Sequence, residues 1–391
     1  MTRQPRVLIV ADDLTGAMDS AGPFAALGME TWVVAVPMRS DPSTLESARV
    51  VSVNTDSRHL RAAEAASRVR GIARHLGADT FDIVIKKIDS TLRGNVVAET
   101  MALLEASGRR EAVVAAAFPA QGRTVRAGIV HVDGKPLAQT AFATDALSPP
   151  PLAPLHEIFA AASSGLKVNA AAASDAFDDG SVIWVADSAN DADLCRIVET
   201  FATRMGRALM VGSAGLTRAI ALVCCEARAV PAGPRHVTGT IVFAVGSRAP
   251  RSAEQIEVLA AEPDTRILRA PNGRLSSPDI PAARNLVIKA TADAAAPAAD
   301  AVRVADDIAR HAIEIARNAQ AQVLVATGGD TAIAILAASG NPALQVLGDL
   351  MPGIPYARIR LGGMALWLVT KAGGFGGRET FRDVARRLRG G

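Results

Sequence analysis

Val7-Leu8-Ile9-Val10-Ala11-Asp12-Asp13-Leu14-Thr15-Gly16-Ala17 reads as a strand, an acidic turn and the start of a helix. Five apolar residues without alternation suit a strand buried on both faces, and Ala17, Ala21 and Ala25 recur at helical spacing after it. The pattern continues outward. Trp32 to Val36, Val50 to Asn54, Phe81 to Ile85 and Ala112 to Ala117 read as strands, and Ala62 to Leu76 and Val96 to Ala106 as helices. Strands alternating with helices argue for a mostly parallel sheet covered on both faces. Ile129 to Leu137 reads as a hairpin turning at Asp133-Gly134. The cluster Pro149, Pro150, Pro151 and Pro154 breaks the pattern, and strands resume at Val182 to Ala186 and Ala208 to Val211, with a helix beginning near Ala214.

Pro231-Ala232-Gly233-Pro234 stops a helix, and a new apolar strand, Thr240 to Val245, follows soon after. Further strands are expected near 265–269, 286–290, 322–326 and 366–370, with helices between them, and 292–300 reads as a surface loop. The expected organisation is residues 1–230, a linker at 231–239 and a second domain at 240–391. The fold class is α/β: two lobes, each with a mostly parallel sheet flanked by helices, and a ligand cleft between the lobes.

Composition excludes several functions. The 391 residues carry a net charge of +3, with 49% apolar and 21% charged residues. No Lys/Arg block is interleaved with aromatics, which argues against a nucleic-acid partner. Arg382 to Arg389 reads as a solvated helix face. No apolar stretch reaches the roughly 18 residues of a membrane span. Cys195, Cys224 and Cys225 show no metal-ligand spacing, and Met1 to Pro5 lead into a strand without a signal-peptide apolar region. A reducing cytoplasm is the expected location, and the sequence is compatible with a homo-oligomer.

Three glycine turns mark the second half: Val245-Gly246-Ser247-Arg248, Thr327-Gly328-Gly329-Asp330-Thr331 and Lys371-Ala372-Gly373-Gly374-Phe375-Gly376-Gly377. A strand, a glycine turn and a helix start aim unpaired N–H groups at one point, which attracts phosphate oxygens. Gly328 and Gly329 clear side chains from the approach of a phosphate to the backbone. Thr331 offers a hydroxyl at a helix start. Asp330 is either an acid complementing the helix dipole or a holder of Mg²⁺. Ser247 is either a helix N-cap or a phosphate contact. Gly373 to Gly377 is a bare turn or a ligand loop, and Lys371 either pairs with phosphate or lies on the surface. The usual P-loop and dinucleotide fingerprints are missing.

In the first half four successive strands end in polar residues: Asp12-Asp13-Leu14-Thr15-Gly16, Asn54-Thr55-Asp56-Ser57-Arg58, Lys86-Lys87-Ile88-Asp89-Ser90-Thr91-Leu92-Arg93-Gly94-Asn95 and Pro119-Ala120-Gln121-Gly122-Arg123. Open α/β sheets bind ligands at this edge. Arg58, Lys86, Lys87, Arg93 and Arg123 offer cations to a carboxylate, while Asp12, Asp13, Asp89 and Asn54 can accept from hydroxyls. Asp89 or Ser90 could instead cap the following helix, and His59 and His131 are either ligand partners or, as a lone His more often is, structural. Such an edge suits a small polyhydroxy acid. Phosphate-cradling turns plus an acid-sugar edge imply phosphoryl transfer to a small hydroxy acid, with Asp13 as first candidate base, Asp89 as second and Lys86 as a further catalytic candidate.

These motifs resemble the four-carbon acid sugar kinase family over nearly the whole chain, through Ala11 to Ala17, Lys86 to Asn95, Val245-Gly246-Ser247, Thr327 to Thr331, Met351-Pro352-Gly353-Ile354-Pro355 and Thr370 to Gly376. The resemblance implies an N-terminal sugar-acid-binding domain, a C-terminal nucleotide-binding domain and ATP-dependent phosphorylation of the 4-hydroxyl of D-threonate, D-erythronate or 3-oxo-tetronate, with D-threonate preferred. It also implies ATP contacts by Ser247, Gly328 to Thr331, Gly373 and Gly374. The chain departs from the family at Arg248-Ala249-Pro250, where further small hydroxyl residues are common, and at Asp330, where Glu is frequent; both leave substrate choice open. Two rival readings are weaker. A dinucleotide-dependent oxidoreductase lacks its glycine fingerprint, and a non-catalytic acid-sugar sensor is at odds with the intact lysines, Asp13 and glycine turns.

Overall fold

The computed structural model describes residues 4–35, 45–145, 148–162, 166–173, 182–228, 233–247, 249–275, 282–292 and 300–390. Val36, residues 231–232, Arg248 and residues 293–299, all named above, lie outside this set, as do residues 1–3. The described residues fall into two compact units, one before residue 229 and one after residue 230.

The N-terminal unit runs β1 (Val7–Ala11), α1 (Leu14–Ala26), β2 (Thr31–Val34), β3 (Val50–Asn54), α2 (Ala62–His75), β4 (Ile83–Lys87), α3 (Val96–Ala106), β5 (Glu111–Ala115), β6 (Arg123–Arg126), β7 (Ile129–Val132), β8 (Lys135–Pro136), α4 (Leu155–Ala162), β9 (Val168–Ala171), β10 (Ile183–Ala186), α5 (Asp191–Phe201), β11 (Ala208–Gly212) and α6 (Ala214–Cys224). Eight strands pair in parallel in the order β2-β3-β1-β4-β11-β5-β10-β9. Right-handed crossovers then place successive helices by the direction in which the chain moves. Accordingly α1 packs with α6 and α5 with α6, while α2 packs with α3 and α3 with α4. With both faces covered, Leu8, Ile9, Val84, Ile85, Val113, Val114, Leu209 and Met210 are fully buried, each contributing about 1.5–3 kcal/mol of apolar transfer. The Asp133-Gly134 hairpin joins β7 to β8 in a separate antiparallel sheet with β6; both turn residues have positive φ (50° and 80°), as a two-residue hairpin requires.

One strand is displaced from its expected span. Phe81 to Ile85 is observed as Ile83–Lys87, so Lys86 and Lys87 lie inside the strand and are buried. Apolar patterning misses a charged strand end whose ammonium groups find internal partners.

The C-terminal unit runs β12 (Ile241–Val245), α7 (Pro250–Ala260), β13 (Thr265–Pro271), β14 (Asn285–Thr291), α8 (Ala301–Asn318), β15 (Val323–Thr327), α9 (Gly329–Ala338), β16 (Ala343–Met351), β17 (Ile354–Leu361), β18 (Met364–Lys371) and α10 (Thr380–Arg389). Its strand order is β13-β14-β12-β15-β18-β17-β16, parallel as far as β18 and antiparallel from β18 through β17 to β16. Helix α7 packs with α10, and α8 with α9. The antiparallel pair β16 and β17 is absent from the expected strands. Its residues alternate between buried and half-buried or exposed, and Gly348, Pro352-Gly353 and Pro355 read locally as turns. Pairing with β18, and a register shift around Gly348, accommodate them.

Candidate active site

In the N-terminal unit β1, β3 and β4 are neighbours, so the turns after them meet at one sheet edge. The helix after β1 leads back to β2 and the helix after β4 leads on to β5, in opposite directions along the sheet; such a reversal opens a crevice at the strand carboxyl ends. Asp13 caps α1: Oδ1 accepts from Gly16 N at 2.8 Å and Oδ2 from Thr15 Oγ1 at 2.6 Å. Arg58 grips Asp12 with two nitrogens, Nε to Oδ2 at 2.7 Å and Nη2 to Oδ1 at 3.1 Å, and donates from Nη1 to Asp13 Oδ2 at 2.8 Å. Its Nη2 also lies 3.9 Å from Asp89 Oδ1. Asp89 accepts from Thr91 Oγ1 and from Arg93 through Nε and Nη2, both at 3.0 Å.

Burial pushes the Asp13 carboxyl upward, but Arg58, Lys87, the Thr15 hydroxyl and the Gly16 amide outweigh it and hold the group below its ordinary value. Asp89 behaves alike: burial opposes ionisation, yet Arg93, Arg58 and the hydrogen bonds hold it well below the carboxylate range. Both are anions at neutral pH. The loop that brings Asp89 here is held in an unusual backbone. Leu92 is buried at φ 61°, a conformation bulky residues rarely adopt. Gly94 sits at φ 87°, where a Cβ would stand 3.1 Å from Asp12 Oδ2 and 3.3 Å from Arg58 Cγ.

The geometry corrects several sequence expectations. Asp89 and Ser90 do not cap α3; the N-cap is Asn95, and Asp89 instead closes the 89–93 turn, with Ser90 half-buried beside it. Arg58 and Arg93 are engaged by the protein's own carboxylates, so they assemble the acidic cluster before any ligand carboxylate can reach them. Lys86 does not fit a catalytic role: its Nζ is spent on Val10 O, Lys87 O and a 2.9 Å ion pair with Glu99, both side chains 1% exposed. Lys87, on the opposite face of the strand, sets its Nζ against Gly16 at the start of α1 while donating to Ile88 O at 3.1 Å. Gly122, at φ 69°, makes room for Asp133. Arg123 donates to Gln121 O and stacks over Phe142 at 5.7 Å, and Asp89 and Arg93 lie within its electrostatic reach. His59 bonds Ser148, and His131 bonds the Ile129 carbonyl, both structural.

One residue was missed. Asp19, three positions along α1 from Gly16, is half-buried, and among the described residues nothing hydrogen-bonds or ion-pairs with it. Burial raises its carboxyl to about 6, Lys87 opposes that rise and Asp13 adds to it. Its helical register with Gly16 was the available signal.

In the C-terminal unit the reversal falls between β12, followed by the helix leading back to β13, and β15, followed by the helix leading on towards β16. The three glycine turns follow β12, β15 and β18, strands of which β15 touches both others. Their glycines are required by mutual approach. A Cβ on Gly246 would overlap Thr331 Oγ1, and one on Gly373 would overlap Ser247 Oγ. Gly328, at φ 100°, comes close to both Ser247 and Thr331. The turns therefore converge on two hydroxyls. Ser247 Oγ accepts from Ala249 N at 3.2 Å, while the N-cap of α7 is Ala249 itself. Gly329 and Thr331 supply first-turn amides of α9, which have no intrahelical acceptor. Asp330 is exposed in that first turn.

Lys371 is neither a surface cation nor free for phosphate. It is 1% exposed, and its Nζ donates to Ala372 O, Gly373 O and Phe375 O at 2.8, 3.2 and 3.1 Å. Burial, helped by Arg251, lowers this amine to about 7. Ser252 Oγ donates to Gly373 O, and Gln255 Nε2 to Phe375 O and Gly377 O. With those carbonyls held inward, the Gly373 and Gly374 amides have no acceptor among the described residues, and space beside Gly374 is open. Such a loop accepts anionic oxygen. Among the described residues no three acidic, His or Cys side chains gather as a metal site. Mg²⁺ needs only one or two carboxylates when phosphates supply the rest, and Asp330 meets that requirement.

Open amides and hydroxyls at the glycine turns of one unit, and an ionised acid cluster in the other, fit a phosphotransferase of the α/β class. Comparison with known proteins agrees. Residues 7–220 match the family model described as a sugar-binding N-terminal domain, and residues 242–381 the one described as a nucleotide-binding C-terminal domain. The chain belongs to the four-carbon acid sugar kinase family. It is 33% identical to a D-threonate kinase of Bordetella bronchiseptica over 98% of both chains. It is 27% identical to a 3-oxo-tetronate kinase of Pseudomonas fluorescens over 99% of this chain and 98% of that one. A crystal structure from Bordetella bronchiseptica, a domain-swapped dimer with bound citrate, matches with a TM-score of 0.50 at 30% identity, covering 98% of this chain and 99% of that one.

Proposed function

We propose that this kinase transfers the γ-phosphoryl group of ATP to the 4-hydroxyl of D-threonate. The convergence of the Gly246, Gly328 and Gly373 turns on Ser247 and Thr331 carries the nucleotide half of the reading, and the full-length likeness to a D-threonate kinase supports the acceptor. ATP phosphates lie on the amides of Gly329, Thr331, Gly373 and Gly374 and on the hydroxyls of Ser247 and Thr331. Asp330 would hold Mg²⁺, which would neutralise charge on the transferred group. The sugar acid lies at the edge formed by Asp12, Asp13, Lys87, Asp89, Ser90, Thr91 and Arg123, with Arg58 and Arg93 fixing the carboxylates.

The acceptor hydroxyl oxygen forms the new bond to the γ-phosphorus as the bond to the β-phosphate oxygen breaks, and ADP departs. The hydroxyl proton passes to Asp13. Its lowered affinity for protons suits this step, because in a loose transition state the proton leaves late and the carboxylate chiefly orients the hydroxyl. Asp89 is the weaker candidate, since it accepts five hydrogen bonds from Thr91 and Arg93 against three on Asp13, and is held further below its ordinary value. The reaction draws on the cytoplasmic ATP pool, and a homodimer is the assembly that the Bordetella bronchiseptica structure favours.

A coupled assay for ADP over D-threonate, D-erythronate and 3-oxo-tetronate tests the reading. D-threonate is expected to give the highest kcat/KM, and ADP release with none of the three acids overturns the proposal. In the same assay Asp13→Asn is expected to lower kcat by about 100-fold or more while ATP binding persists; wild-type turnover would remove Asp13 from its role.

A further inference from the structure

A cavity of about 380 Å³ opens directly beside Ser247 in the C-terminal unit, and its lining includes Ala249, Ala253, Ile256, Asn272 and Lys289. We propose that it receives the nucleoside of the triphosphate, with Lys289 as the cation for the phosphate attached to the ribose. This rests on the phosphate reading of the three glycine turns.

The sheet register explains why a cavity forms here. Val245 pairs with Lys289 in the parallel ladder, so Val287 and Lys289 share the face covered by α7. That face is packed apolar at Phe243, Val245, Val287 and Ile256. One residue pair beyond Val287 the row turns polar at Lys289, and the core gives way to an opening. The far wall is held by a tight turn after β13. Asn272 and Gly273 both adopt positive φ, 47° and 85°, and Asn272 N donates to Thr291 O at 2.8 Å.

Three features identify the occupant. The first is continuity: Ser247 belongs to both the cavity and the phosphate turns, and Ser252, another lining residue, donates to Gly373 O at 2.8 Å. A ligand whose phosphates lie on those turns therefore has its remaining part at this opening. The second is shape and polarity. Small side chains, Ala249 at the N-cap of α7, Ala253 on the helix, and Ala290 and Ala292 beyond, leave room between walls for a flat ring, with Ser252, Asn272 and Thr291 placed to orient its polar edges and the ribose, and the volume falls in the range of roughly 300–1,000 Å³ typical of small-molecule sites. A four-carbon acid would fill only part of this volume. The third is charge. Among the described residues nothing hydrogen-bonds or ion-pairs with Lys289, although it is half-buried. A cation kept without an acid at the end of a strand awaits an anion from a ligand.

Titration calorimetry of the full chain with ATP and with inorganic tripolyphosphate tests the assignment, with thermal melting to verify folding. The wild type is expected to bind ATP more tightly than tripolyphosphate. Ala253→Phe, which fills the slot, should weaken ATP about tenfold or more and leave tripolyphosphate nearly unchanged, and Lys289→Met should weaken ATP about tenfold with an unaltered melt. If Ala253→Phe does not fold, Ala253→Leu, which narrows the same slot, takes its place with the same expected split between the two probes. Equal affinity of the wild type for ATP and tripolyphosphate, or wild-type ATP affinity in the folded variants, overturns the nucleoside assignment and leaves the phosphate reading standing. Wild-type protein that binds neither probe overturns the phosphate reading, and this proposal with it.

Discussion

Arg58 and Asp13 are joined by a 2.8 Å ion pair while the same guanidinium holds Asp12 with two further nitrogens. Acids on consecutive residues thus share one counter-ion, supplied from the end of a different strand. Arg58→Met is expected to destabilise the protein by about 3–5 kcal/mol, because partly buried carboxylates lose their partner. Arg58→Lys should recover less than half of this, since a point charge cannot replace the fork. Asp13 and Asp89 are held below the ordinary value of 3.8, so their contribution is full above that pH and is lost as pH falls further. Denaturant titrations at pH 7 and pH 3 should show the variant's deficit shrinking on the acid side.

Gly373→Ala should act on nucleotide alone. The added methyl overlaps Ser247 Oγ and lies 2.8 Å from Ser247 Cβ, so the serine or the loop must move. ATP affinity is expected to fall about tenfold or more, while calorimetric binding of D-threonate to the N-terminal unit stays within twofold. Unchanged ATP affinity would detach this loop from the phosphate site.

Asp19→Asn is expected to stabilise the protein at neutral pH. The folded carboxyl titrates near 6, above its ordinary 3.8. The native state therefore binds the proton more tightly than the unfolded chain, and stability falls as pH rises from about 4 to 6. Removing the charge should yield roughly 1–3 kcal/mol at pH 7 and close to nothing at pH 4. An equal gain at both pH values in urea titrations would show that burial of this charge is not the cause.

Lys86 and Glu99 should behave as a structural pair. Glu99→Ala leaves an ammonium buried without its anion and is expected to cost about 3–5 kcal/mol, whereas the double variant Lys86→Met, Glu99→Leu should recover most of that loss. If Lys86 is structural, the refolded double variant keeps kcat within tenfold. A collapse of turnover in a stable double variant would return Lys86 to the chemistry.

Much of the candidate site could be read from residues in order. Asp12-Asp13 after β1, the Asp89 to Arg93 turn after β4 and the three glycine turns each sit at a strand end, and strand ends are recognisable because apolar runs stop there. The direction of each side chain was not readable. Lys86 and Lys87 are adjacent and chemically identical, yet pleating sends one to Glu99 and the other to the start of α1. Lys371 resembled a phosphate ligand until three carbonyls of its own loop claimed it. Strands β16 and β17 escaped notice because Gly348 and Pro355 are turn residues by local preference, and only pairing with β18 overrides that preference.

The amino-acid order alone determined the α/β class, the family and the places where chemistry gathers, because hydrophobic periodicity and glycine turns are local properties of a chain. The tertiary structure alone decided which cations were already neutralised, that Gly246 and Gly373 are glycines to admit Thr331 and Ser247, and that Lys289 stands at an opening beside Ser247. Those facts depend on distances between residues far apart in sequence, and packing sets such distances, not the preferences of any one segment.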